Sequence, residues 1–362
     1  MSSLGFVIPY LAGFLICAFC VGLLASPILA KLGLDKQSGI QKVHTRPTSR
    51  LGGIGIFVGL CAGIYLNKET LPNDAILGLC LLLCSLPVFI SGLIEDLTHK
   101  VHPTTRLLMA ILSALLILWI LRFGVQRTDI AVFDFLLRLP FFMTLLTILV
   151  VSGFTNAINI IDGFHGLASG CVMIMLLTLA AISYNVEDLT LVRLCLLTFF
   201  VTLGFSIWNW PFGKIFLGDA GAYLIGFCVV ELGLLIPYRS PEISPMAPVL
   251  VGIYPLVETV FSMYRRKFVR THPLNHPDAL HLHTMLYRRV FSPKGQHVSA
   301  RAKNFSNARV SVVFWILTAV PCILAWIFAQ NTTVLLLCMG GFALLYASIY
   351  RRLVYFKIQN WK

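Results

Sequence analysis

Charge is what this 362-residue sequence has least of: Asp, Glu, Lys and Arg make up 12% of it, against about 25% in soluble globular domains. With 58% hydrophobic residues and a mean hydropathy of +0.85, a soluble fold is excluded and a polytopic membrane protein is indicated. No basic stretch precedes the first apolar run, which continues to Lys31. That pattern argues against a cleavable signal peptide and for a first membrane span. The ten cysteines lack any metal-ligand or disulfide spacing and all fall inside apolar runs, where they serve as small hydrophobes. There is no strong internal repeat and no stretch that reads as a soluble domain.

What the chain does have is a series of apolar runs of the length that crosses a bilayer. They lie near 5–30, 51–66, 75–94, 106–123, 139–158, 166–184, 189–208, 221–237, 246–263, 310–330 and 332–350. The expected fold is therefore a single all-α membrane domain over 1–362 with about eleven spans, ten remaining compatible. The net charge of +13 is not spread evenly: 22 of the 28 Lys and Arg fall in one alternating set of loops. Cytoplasmic loops carry that excess, so the N-terminus is expected outside and the C-terminus inside. The anionic inner leaflet accounts for the positive charge, and no nucleic acid is needed. Cytoplasmic loops are expected near 31–50, 95–105, 156–165, 209–220 and 264–309, and the last is long enough to suggest function.

Acidic, amide and imidazole groups gather at the cytoplasmic ends of these runs. Glu95 and Asp96 end the third, in SGLIEDLTHK. Asn156, Asn159 and Asp162 follow the fifth, in NAINIIDGFHGLASG. Asp219 precedes the eighth, in FLGDAGA, and His281 and His283 stand in the long loop, in HLHTML. Such groups are costly at a membrane edge unless they have partners or border water. Each has a plain alternative. Glu95 and Asp96 can simply end a helix; Asn156 and Asn159 can bond neighbouring helices; Asp219 can be an N-cap; the histidines can be surface residues. The H-x-H spacing lacks the further ligands that zinc requires. Taken together, the oxygen ligands suit Mg2+, with Mn2+ as an alternative. Glycine-flanked FLGDAG can present amides to an oxyanion, and His and Arg can neutralise phosphate. That combination points to metal-assisted phosphoryl transfer at one membrane face.

In order and spacing these stretches resemble the polyprenyl-phosphate N-acetylhexosamine-1-phosphate transferase superfamily, the MraY/WecA type. The matching segments are KVHTRPTSRLGG (42–53), GLIED (92–96), NAINIIDGFHGLA (156–168), FLGDAGA (216–222) and HLH. The resemblance implies a multi-pass protein of the bacterial inner membrane with its site facing the cytoplasm. It implies a UDP-sugar donor of the N-acetylhexosamine type, undecaprenyl phosphate as acceptor, release of UMP, and Mg2+. A homodimer is compatible with it. By that resemblance Asp219 is a Mg2+ ligand, and Glu95 and Asp96 activate or orient the attacking phosphate oxygen. Asn156, Asn159 and Asp162 hold nucleotide or metal. His281, His283, Arg288 and Arg289 meet phosphate or sugar, and Lys42, His44 and Arg46 extend the phosphate surface. Direct attack and a covalent carboxylate route are both open.

The pattern is departed from at four positions: Glu95 and His165 each stand where the family has Asp, Ala222 stands for Ser, and Thr284 stands for a third histidine. These changes favour the branch that begins surface polysaccharide, O-antigen, capsule or glycan synthesis over the peptidoglycan phospho-MurNAc-pentapeptide transferase. A transporter or flippase, with ionisable groups at the midplane and repeats, and an inactive scaffold relative are the competing readings.

Overall fold

The computed structural model describes residues 3–35, 47–269, 280–293 and 299–354. Hydrocarbon offers the backbone no partner, so apolar runs satisfy their own amides by coiling into helices. In chain order these are α1 (Ser3–Leu24), α2 (Gly52–Asn67), α3 (Pro72–Thr98), α4 (Pro103–Leu116) with a π-helical extension to Leu121, and α5 (Ala131–Leu137). There follow α6 (Pro140–Ile161), α7 (Leu167–Asn185), α8 (Leu189–Asn209), α9 (Gly218–Arg239), α10 (Met246–Val251) and α11 (Ile253–Tyr264). The chain closes with α12 (Leu282–Leu286), α13 (Ala300–Ile327) and α14 (Thr332–Val354). Among the described residues nine helices are long and apolar enough to cross a membrane: α1, α3, α4 with its extension, α6, α7, α8, α9, α13 and α14. The apolar helix α2 is shorter.

The run over 246–263, expected as one helix, is broken at Gly252 into α10 and α11. Pro255 has no N–H to give the Val251 carbonyl. The ring of Phe154 also lies so close that a Cβ on Gly252 would be 2.2 Å from it.

Helix α9 is the centre of the bundle. Of its span 89% is buried, against 17% for the peripheral α14, and α2, α3, α6, α7 and α8 pack round it. Small residues at its head permit that closeness. A Cβ on Gly53 of α2 would lie 2.4 Å from the amide nitrogen of Gly221, and one on Gly92 of α3 2.5 Å from that of Ala220. The head of α2, the end of α3 and the head of α9 therefore meet at one end of the bundle.

A short antiparallel pair tightens this junction: β1 (Leu34–Asp35) runs against β2 (Thr48–Ser49), with Leu34 opposite Ser49. Beyond β2 the chain laces onto the approach to α9. Phe216 N–H donates to Ser49 O at 2.8 Å, Gly52 N–H to Phe216 O at 3.0 Å and Gly53 N–H to Leu217 O at 3.1 Å. These bonds set Arg50 beside the first residues of α9. At the opposite end, Arg193, a basic residue inside a span, finds the buried Asp74 at the head of α3. A charge at that depth requires such a partner.

Candidate active site

Asp219 is the second residue of α9 and is 6% exposed. One of its oxygens accepts from Arg50 Nη2 at 2.8 Å and from Asn159 Nδ2 at 3.1 Å; the other is paired with Arg106 Nη1. Asp96, fully buried in the last turns of α3, supports that arrangement from below. Its two oxygens accept the N–H groups of Asp219 and Ala220, each at 2.9 Å, and Arg50 Nε lies 3.3 Å from one of them. Orphan amides at a helix head are thus satisfied by a carboxylate from another helix, where the macrodipole favours negative charge. Gly218 has φ +73°, and a Cβ there would meet Arg50 O at 2.0 Å and Asp96 Oδ2 at 2.5 Å. Only glycine fits that turn.

The second wall comes from the end of α6 and the turn into α7. Asp162 follows Ile161 at the C-terminus of α6. Among the described residues no hydrogen-bond donor reaches its carboxylate. Burial pushes that carboxyl up to about 7; the Arg50 guanidinium opposes the rise, and the Asp219 and Asp96 carboxylates reinforce it. His165 forms the neighbouring wall, with Nδ1 3.1 Å from Pro211 O. Its backbone is pinned by Asn307 Oδ1, which accepts from His165 N–H at 2.8 Å, and by Ser311 Oγ, which donates to His165 O at 2.6 Å. Asp162, Asn159, His165, Asp219 and Arg50 line a single cavity of about 280 Å³, which Asn209 and Asn307 complete.

His281 and His283 lie behind the Gly163–Phe164 turn, outside the cavity lining. Their rings stack at 5.2 Å and 10°. His283 packs edge-on to Phe164 at 5.6 Å, and its Nε2 lies 3.2 Å from where a Cβ on Gly163 would be. His281 Nδ1 is 2.9 Å from Glu258 Oε1 of α11.

Asp96, Asn159, Asp162, Asp219 and the two histidines thus come to one end of the bundle. Others of the expected residues are turned elsewhere. The Glu95 carboxylate accepts from Val101 N–H at 2.8 Å and closes the turn after α3, outside the cavity lining. Asn156 donates to Ser152 O at 2.8 Å and lines an apolar groove between helices instead of the polar cavity. Arg289 donates to the carbonyls of Leu353 and Val354, the last of α14, where basic groups are favoured. Arg288 is exposed and lines no described cavity. Lys42, His44 and Arg46 lie outside the described residues. Arg50, Arg106, Asn209, Asn307 and Glu258 carry contacts of the site that the motifs did not single out. Arg50 and Arg106 entered the sequence reading only as loop charges, although Arg50 stands within the 42–53 motif.

Beside the polar cavity is an apolar groove of about 690 Å³ between α6, α9, α10 and α11. Leu107, Asn156 and Ile160 lie at its polar end, and Pro245, Pro248 and Val249 at the other. Asn156 and Ile160 share the last turns of α6 with Asn159 of the cavity, so the two spaces adjoin across that helix end.

The family model described as Glycosyl transferase family 4 matches residues 78–236, from α3 to the end of α9. A probable undecaprenyl-phosphate N-acetylglucosaminyl 1-phosphate transferase of Bacillus subtilis is 31% identical over 290 residues, covering 75% of this chain and 77% of that protein. The undecaprenyl-phosphate alpha-N-acetylglucosaminyl 1-phosphate transferase of Escherichia coli is 25% identical over 282 residues, covering 75% and 73%. A phospho-N-acetylmuramoyl-pentapeptide-transferase of Streptococcus agalactiae is 25% identical over 241 residues, covering 60% and 71%. With the motifs 92–96, 156–168 and 216–222 all inside the matched region, the chain belongs to glycosyl transferase family 4.

Proposed function

We propose that this protein transfers an N-acetylhexosamine 1-phosphate from a UDP-sugar to undecaprenyl phosphate and releases UMP, at the cytoplasmic face of the bacterial inner membrane. One observation carries the reading. A cavity lined by Arg50 and the carboxylates Asp162 and Asp219, the latter also paired with Arg106, adjoins, across the last turns of α6, an apolar groove in the bundle. The cavity suits a sugar diphosphate, and the groove suits the isoprenoid of a lipid phosphate. Such a lipid must present a charged head at one membrane face while its tail stays in hydrocarbon. The Lys/Arg excess on the same side supports the cytoplasmic orientation.

In the reaction an oxygen of the lipid phosphate attacks the sugar-linked phosphorus. The bond from that phosphorus to the bridging oxygen breaks, and UMP departs with the bridging oxygen. The obstacle is the repulsion between two phosphorylated substrates, so charge neutralisation and alignment dominate catalysis. Arg50 and Arg106, already directed at Asp219, are placed to take phosphate oxygens. His281 and His283 add positive or hydrogen-bonding groups on the Gly163 side. Asp96 has both oxygens on α9 amides and reads as the residue that holds the α9 head and Arg50, whereas Asp162, which no donor among the described residues reaches, is the acid open to ligand.

The donor set fits Mg2+. Asp162, Asp219 and the Asn159 amide are hard oxygen donors on one cavity, and no hydrogen-bond donor among the described residues reaches the Asp162 carboxylate. Among the described residues no group of three His, Cys, Asp or Glu could hold an ion by itself; Mg2+ is commonly held by one or two carboxylates with substrate phosphates completing its shell. When bound, the ion supplies neutralisation of the diphosphate.

Incubation of purified protein with UDP-N-acetylglucosamine, undecaprenyl phosphate and Mg2+, followed by mass spectrometry of the lipid, tests the reaction. A lipid gaining one N-acetylhexosamine phosphate is expected. Product from UDP-MurNAc-pentapeptide alone would move the chain to the peptidoglycan branch.

A further inference from the structure

Glu258 is a charged side chain on α11 that is 1% exposed, in a run otherwise composed of apolar and small residues. Its Oε1 accepts from His281 Nδ1 at 2.9 Å and from Leu282 N–H at 3.2 Å. The other groups that face the pair are His283 from the same segment, Tyr254 from α11 and Tyr346 from α14. Arg265 and Tyr350 close the approach by donating to the carbonyl of Leu280. Contacts then run from Glu258 through His281 to the stacked His283, and from His283 to Gly163, next to Asp162.

Burying a carboxylate is expensive unless it is matched by a cation or several donors. An apolar or amide side chain would fill the same space at lower cost, so packing does not explain an acid at this position. A carboxylate on Nδ1 fixes an imidazole's rotation, makes Nδ1 the donor and favours the charged ring, leaving Nε2 as the acting atom. We infer that Glu258 is a positioning residue that fixes the rotation of the His281 ring and, through the stack, holds His283 beside Gly163 for phosphoryl transfer. This inference rests on the reading of the site as a sugar-phosphate transferase.

The test is a double-variant cycle on the full-length protein, reading UMP release, with variants Glu258→Gln, Glu258→Asp, His281→Gln and the double Gln variant. Glu258→Gln is expected to lower kcat about 10- to 100-fold, the range seen when a partner behind a first ligand is removed, with KM little changed. Glu258→Asp, which retains the charge, is expected to recover at least part of that loss. The double variant is expected to match His281→Gln within about threefold, because two residues acting as one unit are not additive. Fully additive losses, or a Glu258→Gln protein with unaltered kcat, would overturn the inference. A readout independent of turnover is the rate at which diethyl pyrocarbonate labels His281, followed by peptide mass spectrometry. Labelling should accelerate in Glu258→Gln, and an unchanged rate would likewise overturn the pairing. Faster labelling in a protein that releases no UMP from any donor would uphold the pairing and defeat the transferase reading.

Discussion

Asp96 holds the helix on which Asp219 stands: its two oxygens accept the N–H groups of Asp219 and Ala220 at 2.9 Å each, across 123 and 124 residues of sequence. In Asp96→Asn one of those amides would face an NH2 group. A buried donor without an acceptor costs about 1–3 kcal/mol, so the melting temperature in detergent should fall. Turnover should fall as the Asp219 carboxylate loses its register. Unchanged melting would mean that the cap is dispensable.

Arg50 bridges two acids, with Nη2 on Asp219 and Nε toward Asp96. A lysine cannot span both with one ammonium, so Arg50→Lys is not conservative here. Arg50→Lys and Arg106→Ala are each expected to lower kcat by about 100-fold or more, the scale for a lost charge-stabilising donor. Initial rates of UMP release measure this directly.

Asp162 gives a pH signature. Its folded pKa is raised from 3.8 to about 7, chiefly by burial. Between those values the folded protein binds more protons than the unfolded chain, so this group makes stability fall as pH rises through the window. In the absence of metal, unmodified protein should therefore lose melting temperature from pH 4 to 7 relative to Asp162→Asn. Mg2+, which favours the ionised form, should reduce the difference. Parallel melting curves for the two proteins would contradict the assignment.

His165 lines the cavity through a ring engaged with the Pro211 carbonyl, whereas Asp219 touches Arg50, Arg106 and Asn159 at once. His165→Asp should accordingly keep measurable activity, within about 10-fold of the unmodified protein, while Asp219→Ala should abolish it, since residues acting as a unit fail together. Equal collapse of both would reverse this ranking.

Much of the site was legible because polarity stands out in an apolar chain. Asp162, Asn159 and Asp219, which line the cavity, were visible as polar groups that are costly at a membrane edge without partners or water. Partnership was not legible. Whether Asp96 serves as base or cap depends on amides that only folding brings near, and Arg50 and Arg106 looked like any other loop charges. Glu258 did leave a signal, a lone acid inside the run 246–263, but hydropathy averages such a residue away. The same averaging hid the break at Gly252, which depends on Pro255 and on the Phe154 ring of another helix. Apolar run length located helices well because hydrocarbon imposes them. It carried no information on α5, whose seven residues are too few for a span.

The most direct test of the account is UMP release by purified protein supplied with undecaprenyl phosphate and a panel of UDP-N-acetylhexosamines, with and without Mg2+, beside Asp219→Ala. The account predicts UMP in stoichiometric step with sugar-diphosphate lipid for at least one donor, lost on chelation and in the variant. No UMP from any donor, under conditions where a related transferase is active, would contradict it.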